Sequence, residues 1–168
     1  MNNEDTVKPL NDDDVNNEMK LIEKMDKKFT NELFILFSNT LSSILSITLE
    51  KCSNDDSEYV EIIRLRRIIN LVPVEEKFIR TKDKVWNVRK QILDKNEKYF
   101  IEKDYSKLIK KDHNQYFIET LTDIVKNRFD ELNNAEKDLY WQKAAILLNC
   151  VGKYKKAVME INKKTHLV

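Results

Sequence analysis

Few residues in this 168-residue chain could act as nucleophiles or metal ligands. They are two cysteines, Cys52 and Cys150, and two histidines, His113 and His166. Catalysis by cysteine requires a neighbouring histidine and a third group that orients that histidine. His113 could lie near either cysteine, but Cys150 stands beside an apolar stripe, where cysteine is usually a small core residue. This pattern favours a protein that is not an enzyme.

Metal and nucleotide sites lack their sequence signatures. Di-iron helical bundles use Glu-x-x-His, whereas Lys110 and Lys163 stand three positions before the two histidines. The HExxH and EF-hand patterns are absent as well. Phosphate-binding loops need several glycines close together, and Gly152 is the single glycine of the chain. We therefore expect no metal and no cofactor.

Three groups of basic residues could contact phosphate. The groups are Arg64, Arg66 and Arg67; Lys103, Lys107, Lys110 and Lys111; and Lys153, Lys155 and Lys156. Such residues bind nucleic acid with strong salt dependence and without sequence preference. The candidate phosphate contacts are Arg64, Arg66, Arg67, Lys107, Lys110 and Lys111. The alternative is a solvated face that pairs with nearby acids, because zinc-finger and RRM signatures are absent.

The adjacent aromatic residues Tyr140 and Trp141 are candidates for a protein interface. Successive helical residues point about 100° apart, so the two rings cannot share one helical face. We expect one of them to be exposed, and exposed aromatic residues are enriched at the centres of protein interfaces.

Charge is divided unevenly between the two parts of the chain. Residues 1–63 carry 6 basic and 14 acidic side chains, a net of −8, and residues 64–168 carry 24 and 15, a net of +9. This asymmetry predicts either mutual attraction within the fold or a basic face that meets an acidic partner.

The elements that must position these residues are predicted to be helices. Glycine and proline are scarce and Asn-Gly or Asp-Gly turns are absent, which disfavours hairpins. Apolar residues recur at helical spacing along most of the chain. The predicted elements are one long helix over 13–50, or two with a bend near Thr30–Asn31; a helix ending near Leu71; a helix from Pro73 to about Asp94; a turn over Asp94–Glu97; a helix from Asn114 to Leu132; and a last helix capped by Asn133 and Glu136 that tolerates Gly152.

These elements predict an all-α fold, a compact bundle of five or six helices. Residues 1–12 are expected to form a flexible acidic tail and residues 13–168 one domain. The acid run Asp12–Asp14 suits the positive N-terminal end of the first helix.

The most apolar stretch, Leu33 to Leu49, has no charged residue but contains seven polar ones. A membrane span needs about 20 predominantly apolar residues. We therefore interpret this stretch as a buried core helix, with a membrane-associated helix as the alternative. Residues 1–18 lack the apolar core of a signal peptide, and the cysteines lack a CxxC pattern, so we expect an intracellular protein with two free thiols.

The chain resembles the small helical proteins of unknown role found in nucleocytoplasmic large DNA viruses. The resemblance lies in the apolar run Leu33–Phe37 and in the stretch of lysine, asparagine and aromatic residues over Asp94–Phe100. It covers about residues 30–150 and implies no catalytic residue.

Together these features favour a non-catalytic structural or interaction protein, a viral accessory or virion component, that offers helix faces to a protein partner or to a second copy. The alternative is a nucleic-acid-associated protein that binds the phosphate backbone through its basic C-terminal two-thirds.

Overall fold

The computed structural model describes residues 10–52, 57–102 and 127–167. Every regular element in these ranges is a helix, which confirms the all-α prediction. The helices are α1 (Asp12–Ile22), α2 (Lys27–Leu49), α3 (Ser57–Leu71), α4 (Val74–Asn87), α5 (Arg89–Leu93), α6 (Glu97–Glu102) and α7 (Asn134–His166).

The first predicted helix is two helices, and the predicted bend near Thr30–Asn31 is wrong in position. Helix α1 ends at Ile22. Helix α2 begins at Lys27, where the Asp26 side chain caps it by accepting a hydrogen bond from the Phe29 N–H at 2.8 Å. Thr30 lies inside α2, where its hydroxyl donates to the Lys27 carbonyl at 3.1 Å. The break creates a corner, Glu23–Asp26, between α1 and α2.

The folded region begins before the predicted boundary at residue 12. Asn11 caps α1 by accepting from the Asp14 N–H at 2.8 Å, and the Asp14 carboxylate accepts from the Asn11 N–H at 3.1 Å. Leu10 packs against the core. The acid run therefore fills the first turn of α1 as expected, while Asn11 is the cap.

Helices α2 and α7 form the centre of the bundle, and α4 packs against both. Phe37 and Phe78 are completely buried, with ring centroids 5.0 Å apart in an edge-to-face arrangement. Phe34 and Tyr154 contact the Phe78 ring from the other two helices at 4.8 and 5.0 Å. These rings join α2, α4 and α7 in one apolar core.

Helix α2 is long and apolar enough to cross a membrane by length and composition. In this fold, however, its Phe34 and Phe37 are covered by α4 and α7. Its role as a core helix agrees with the sequence interpretation, and the membrane-associated alternative stays a prediction.

The predicted helix from Pro73 to Asp94 is interrupted at Val88, where φ is −99° and ψ is 17°. The Arg89 guanidinium donates to the Trp86 carbonyl at 3.0 Å, which a continuing helix would offer to a backbone N–H. Pro73 opens α4 as predicted. The predicted turn is also present, and Lys95 adopts a positive φ of 49° within it.

Helix α7 begins and continues as predicted. Asn133 accepts from the Glu136 N–H at 2.9 Å, but the Glu136 carboxylate binds Lys51 Nζ at 2.6 Å instead of closing the capping box. That ion pair fastens the start of α7 to the end of α2. The helix then runs through Gly152 to His166.

Candidate binding cleft

The predicted phosphate contacts are only partly within the described residues. Arg64 and Arg67 are exposed on α3, and Arg66 is half-buried. Of the predicted helix from Asn114 to Leu132, the structure describes only residues 127–132; residues 127–129 are helical, and Phe129 and Leu132 are buried. The rest of that helix and His113 lie outside the described residues. So do the remaining candidate contacts, Lys107, Lys110 and Lys111.

The prediction that Tyr140 or Trp141 is exposed is wrong. Trp141 is only 6% exposed, and its ring lies 5.8 Å from Phe100 and 6.3 Å from Phe129. Tyr140 is half-buried with its ring 5.4 Å from Phe129, and burial raises the pKa of its hydroxyl. Phe100 of α6 contacts the Trp141 ring, and Phe129 of the segment before α7 contacts both rings. These contacts cover both aromatic side chains.

The cysteines and the described histidine do not form a catalytic arrangement. Cys150 is 1% exposed, and burial raises the pKa of its thiol, which disfavours the nucleophilic thiolate. Cys52 is half-buried at the end of α2, and neither cysteine forms a disulfide. His166 lies exposed at the end of α7. Within the described ranges, no three His, Cys, Asp or Glu side chains are placed to hold a metal.

A surface cleft of about 440 Å³ lies between the α1–α2 corner and the C-terminal half of α7. Its floor is apolar and its rim is charged. The floor consists of Met25, Phe29, Ala157 and Ile161, all buried or half-buried. The rim consists of the exposed residues Lys24, Asp26, Lys153, Lys156, Glu160 and Lys164. We call this surface the basic cleft.

The basic cleft carries a surplus of positive charge, since four lysines line it against two carboxylates. Within the described part of the chain, none of the four lysines forms an ion pair. The Asp26 carboxylate is already engaged in capping α2. The first turn of α2 contains Lys27 and Lys28 and no acidic residue. Positive charge therefore accumulates at a helix end that is itself positive.

Sequence reasoning found part of this cleft and missed the rest. Lys153 and Lys156 belong to a basic group that the sequence singled out, but Lys155 of the same group points elsewhere. Its Nζ lies 5.0 Å from the Trp86 ring centroid, and the Arg89 guanidinium lies 4.9 Å from the same ring. The α1–α2 corner was not predicted, although Asp26, a residue type that caps helix starts, is a sequence signal for it.

A second polar cluster joins α1, α4 and α7, with the buried Lys82 at its centre. Lys82 is 6% exposed, and its Nζ contacts Glu18 at 3.0 Å and Asp83 at 3.2 Å. The Tyr154 hydroxyl donates to the other Glu18 oxygen. Burial and this bond to Glu18 raise the pKa of Tyr154. These contacts link three helices, as expected for a cluster that stabilises their packing.

A third polar contact pairs Lys77 with Ser38. Lys77 Nζ donates to Ser38 Oγ at 2.5 Å, and the two residues are 9% and 7% exposed. Desolvation lowers the pKa of Lys77. A serine beside a lysine can act as a nucleophile, but the burial of both side chains leaves a substrate no approach among the described residues.

Comparison with protein-family models, with curated proteins and with solved structures finds no match. The resemblance to the viral helical proteins therefore stays a prediction. What the protein does has to be inferred from the clusters and the cleft themselves.

Proposed function

We propose that this is a non-catalytic binding protein whose working surface for a protein partner is the basic cleft. The observation that carries the proposal is the combination, in one concave surface, of a half-buried apolar floor and four lysines without ion pairs in the described chain. Its volume falls within the range of about 300–1,000 Å³ typical of ligand-binding clefts. Charges that stabilise a fold are usually paired or dispersed, whereas these converge.

Two further observations support a binding role over catalysis. Tyr154 and Lys77, two of the buried groups with shifted pKa values, are engaged in contacts with Glu18 and Ser38. Neither pair lines the basic cleft, and the Cys150 thiol and the Tyr140 hydroxyl do not line it either. The groups that could perform chemistry and the surface that could accept a ligand are therefore separate.

The resemblance noted in the sequence extends the proposal to a viral accessory or virion component. Cys52 and Cys150, which form no disulfide, suit a reducing intracellular compartment.

A second candidate function, nucleic-acid binding, is favoured by Arg64 and Arg67. Both are exposed on α3 and stand three positions apart, so they share one helix face. Arginine binds phosphate with a planar fork of donors. In this alternative the working surface is α3, and the basic cleft adds only general positive charge.

Two charge-reversal variants separate these functions. They are Lys153→Glu/Lys156→Glu in the basic cleft and Arg64→Glu/Arg67→Glu on α3. Partners are captured by cross-linking in the cells that produce the protein, and binding of mixed-sequence DNA and RNA is measured by fluorescence anisotropy.

The proposal predicts that the cleft variant loses its cross-linked partners while the α3 variant keeps them. It also predicts weak nucleic-acid binding by the wild type even at about 50 mM salt, where phosphate contacts are strong. Partner capture that is unaffected by the cleft variant contradicts the proposal. Tight, salt-dependent binding of nucleic acid that is lost only in the α3 variant establishes the second candidate instead.

A further inference from the structure

We propose that the basic cleft accepts an acidic amphipathic α-helix of the partner protein. This inference rests on the proposed function and names the chemistry of its ligand. Amphipathic helices bind proteins by laying an apolar face into an apolar groove, with contacts at positions i, i+3 or i+4, and i+7.

The dimensions of the basic cleft suit such a helix. Its α7 wall extends from Lys153 to Lys164, a rise of about 17 Å at 1.5 Å per residue. That length matches about three turns of a docked helix. Met25 and Phe29 contribute the opposite wall from the α1–α2 corner.

The floor offers a place for the ligand's apolar side chains. Ala157 and Ile161 stand one turn apart on α7 and are half-buried, so they present one small and one branched side chain in line. The small Ala157 leaves space at its end of the floor. Met25 is flexible and polarizable, and methionine adapts its shape to ligands.

The positive charge of the basic cleft favours a negatively charged ligand. Lys24 lies on the corner side of the basic cleft, and Lys153, Lys156 and Lys164 lie on the α7 side. A helix with carboxylates along both flanks of its apolar stripe meets lysines on either side. The positive end of α2, with Lys27 in its first turn, adds to the attraction.

A polypeptide helix suits this surface better than a nucleic acid or a lipid bilayer. Phosphate groups would leave the apolar floor without a partner, and arginine is absent from the lining. Phe29 is the one aromatic ring there and is half-buried, whereas base stacking needs accessible rings. A flat bilayer surface cannot enter a concave cleft.

The test uses synthetic peptide probes with a fluorescent label. The main probe is a helix of about 16 residues with leucines at positions i, i+3, i+7 and glutamates on the flanks. One control peptide replaces every glutamate with lysine, and a second replaces every leucine with serine. Anisotropy is measured at about 150 mM salt, where surface charge is screened beyond about 8 Å.

Three protein variants locate the binding. Lys153→Glu/Lys156→Glu reverses the rim charge of the basic cleft. Lys90→Glu/Lys98→Glu makes the same change of charge on exposed residues of α5 and α6, outside it. Ala157→Leu fills the floor without changing charge. Circular dichroism verifies that each variant keeps its helix content and unfolding midpoint.

The inference predicts saturable binding of the acidic peptide, with affinity reduced about tenfold or more for both control peptides. The rim variant and Ala157→Leu should each weaken binding by about the same factor, and the outside variant by less than about threefold. Equal binding of the serine peptide would mean that the surface attracts any polyanion, which overturns the inference. Equal loss in the outside variant, or no binding at all, overturns it as well.

The two failures are distinguishable. If cross-linked partners depend on the basic cleft but the acidic peptide does not bind, the proposed function holds and only the ligand chemistry is wrong. If partner capture is also independent of the basic cleft, the proposed function fails with it.

Discussion

Two buried lysines on α4 illustrate how single residues stabilise or strain this fold. Lys77 and Lys82 are 9% and 6% exposed. Lys82 is surrounded by the carboxylates of Glu18 and Asp83, whereas Ser38 is the hydrogen-bond partner of Lys77 among the described residues. A buried charge is costly unless it is paired, so the two lysines should have opposite effects on stability.

Replacing each lysine with methionine, which keeps an unbranched stem, tests this contrast. Lys82→Met leaves the Glu18 carboxylate without its cation and should lower the free energy of unfolding by about 3 kcal/mol. Lys77→Met removes an unpaired charge, and Ser38 can turn to a backbone carbonyl. We expect Lys77→Met to be neutral or to raise the free energy of unfolding by about 1 kcal/mol. Urea denaturation of the two variants side by side measures both, and equal destabilisation would contradict the account.

The difference in the free energy of unfolding between Lys77→Met and the wild type should depend on pH. Desolvation lowers the pKa of Lys77 in the folded state below its ordinary value of 10.5, so burying the ammonium costs stability wherever it is protonated. That cost is full below the folded pKa and disappears as pH rises from the folded pKa towards 10.5. The advantage of Lys77→Met over the wild type should therefore be largest at neutral pH and shrink in alkali. A stability advantage of Lys77→Met that increased with pH would contradict this prediction.

Gly152 gives a third test at the scale of one residue. A methyl group added there would meet Trp86 Cζ3 at 3.9 Å, an ordinary van der Waals contact. Since alanine favours a helix interior over glycine by about 1 kcal/mol, Gly152→Ala should raise the free energy of unfolding by about that amount. Thermal unfolding measures the change, and a destabilised variant would mean that Trp86 cannot accept the contact.

At the scale of the elements, local patterns predicted the helices better than the breaks between them. Apolar stripes gave the cores of α2 and α7, and Pro73 and Asn133 marked real helix starts. The break at Val88 is accompanied by a hydrogen bond from the Arg89 side chain to the Trp86 carbonyl. Helical periodicity carries no information about such a side-chain contact.

Lys27, in the first turn of α2, should lower the stability of that helix while supporting the proposed function. A positive side chain in the first turn opposes the helix dipole, and a negative one there is favourable by about 0.3–1 kcal/mol. Lys27→Glu should therefore raise the free energy of unfolding by about 0.5 kcal/mol. The same change should weaken binding of the acidic peptide, since it removes positive charge beside the basic cleft. Chemical denaturation and peptide anisotropy give the two values, and stronger peptide binding would contradict the account.

At the scale of the whole molecule, the charge asymmetry of the sequence is partly used inside the fold. Glu18 and Asp12 of the acidic part bind Lys82 and Arg80 of the basic part. The basic cleft is built from residues near position 25 and residues beyond position 152. Sequence reasoning could not foresee it, because long-range packing of α2 on α7 brings these segments together. The buried position of Trp141 was not predicted either, because it depends on contacts with Phe100 of α6 and with Phe129.

We propose that the basic cleft is the working surface of this protein, and nuclear magnetic resonance of the ¹⁵N-labelled protein titrated with the acidic amphipathic peptide can locate that surface. We expect amide shifts to change chiefly over residues 24–29 and 153–164, and we expect Lys153→Glu/Lys156→Glu to weaken these changes strongly. Shifts concentrated on α3 around Arg64 and Arg67, or absent along both walls of the basic cleft, would contradict it.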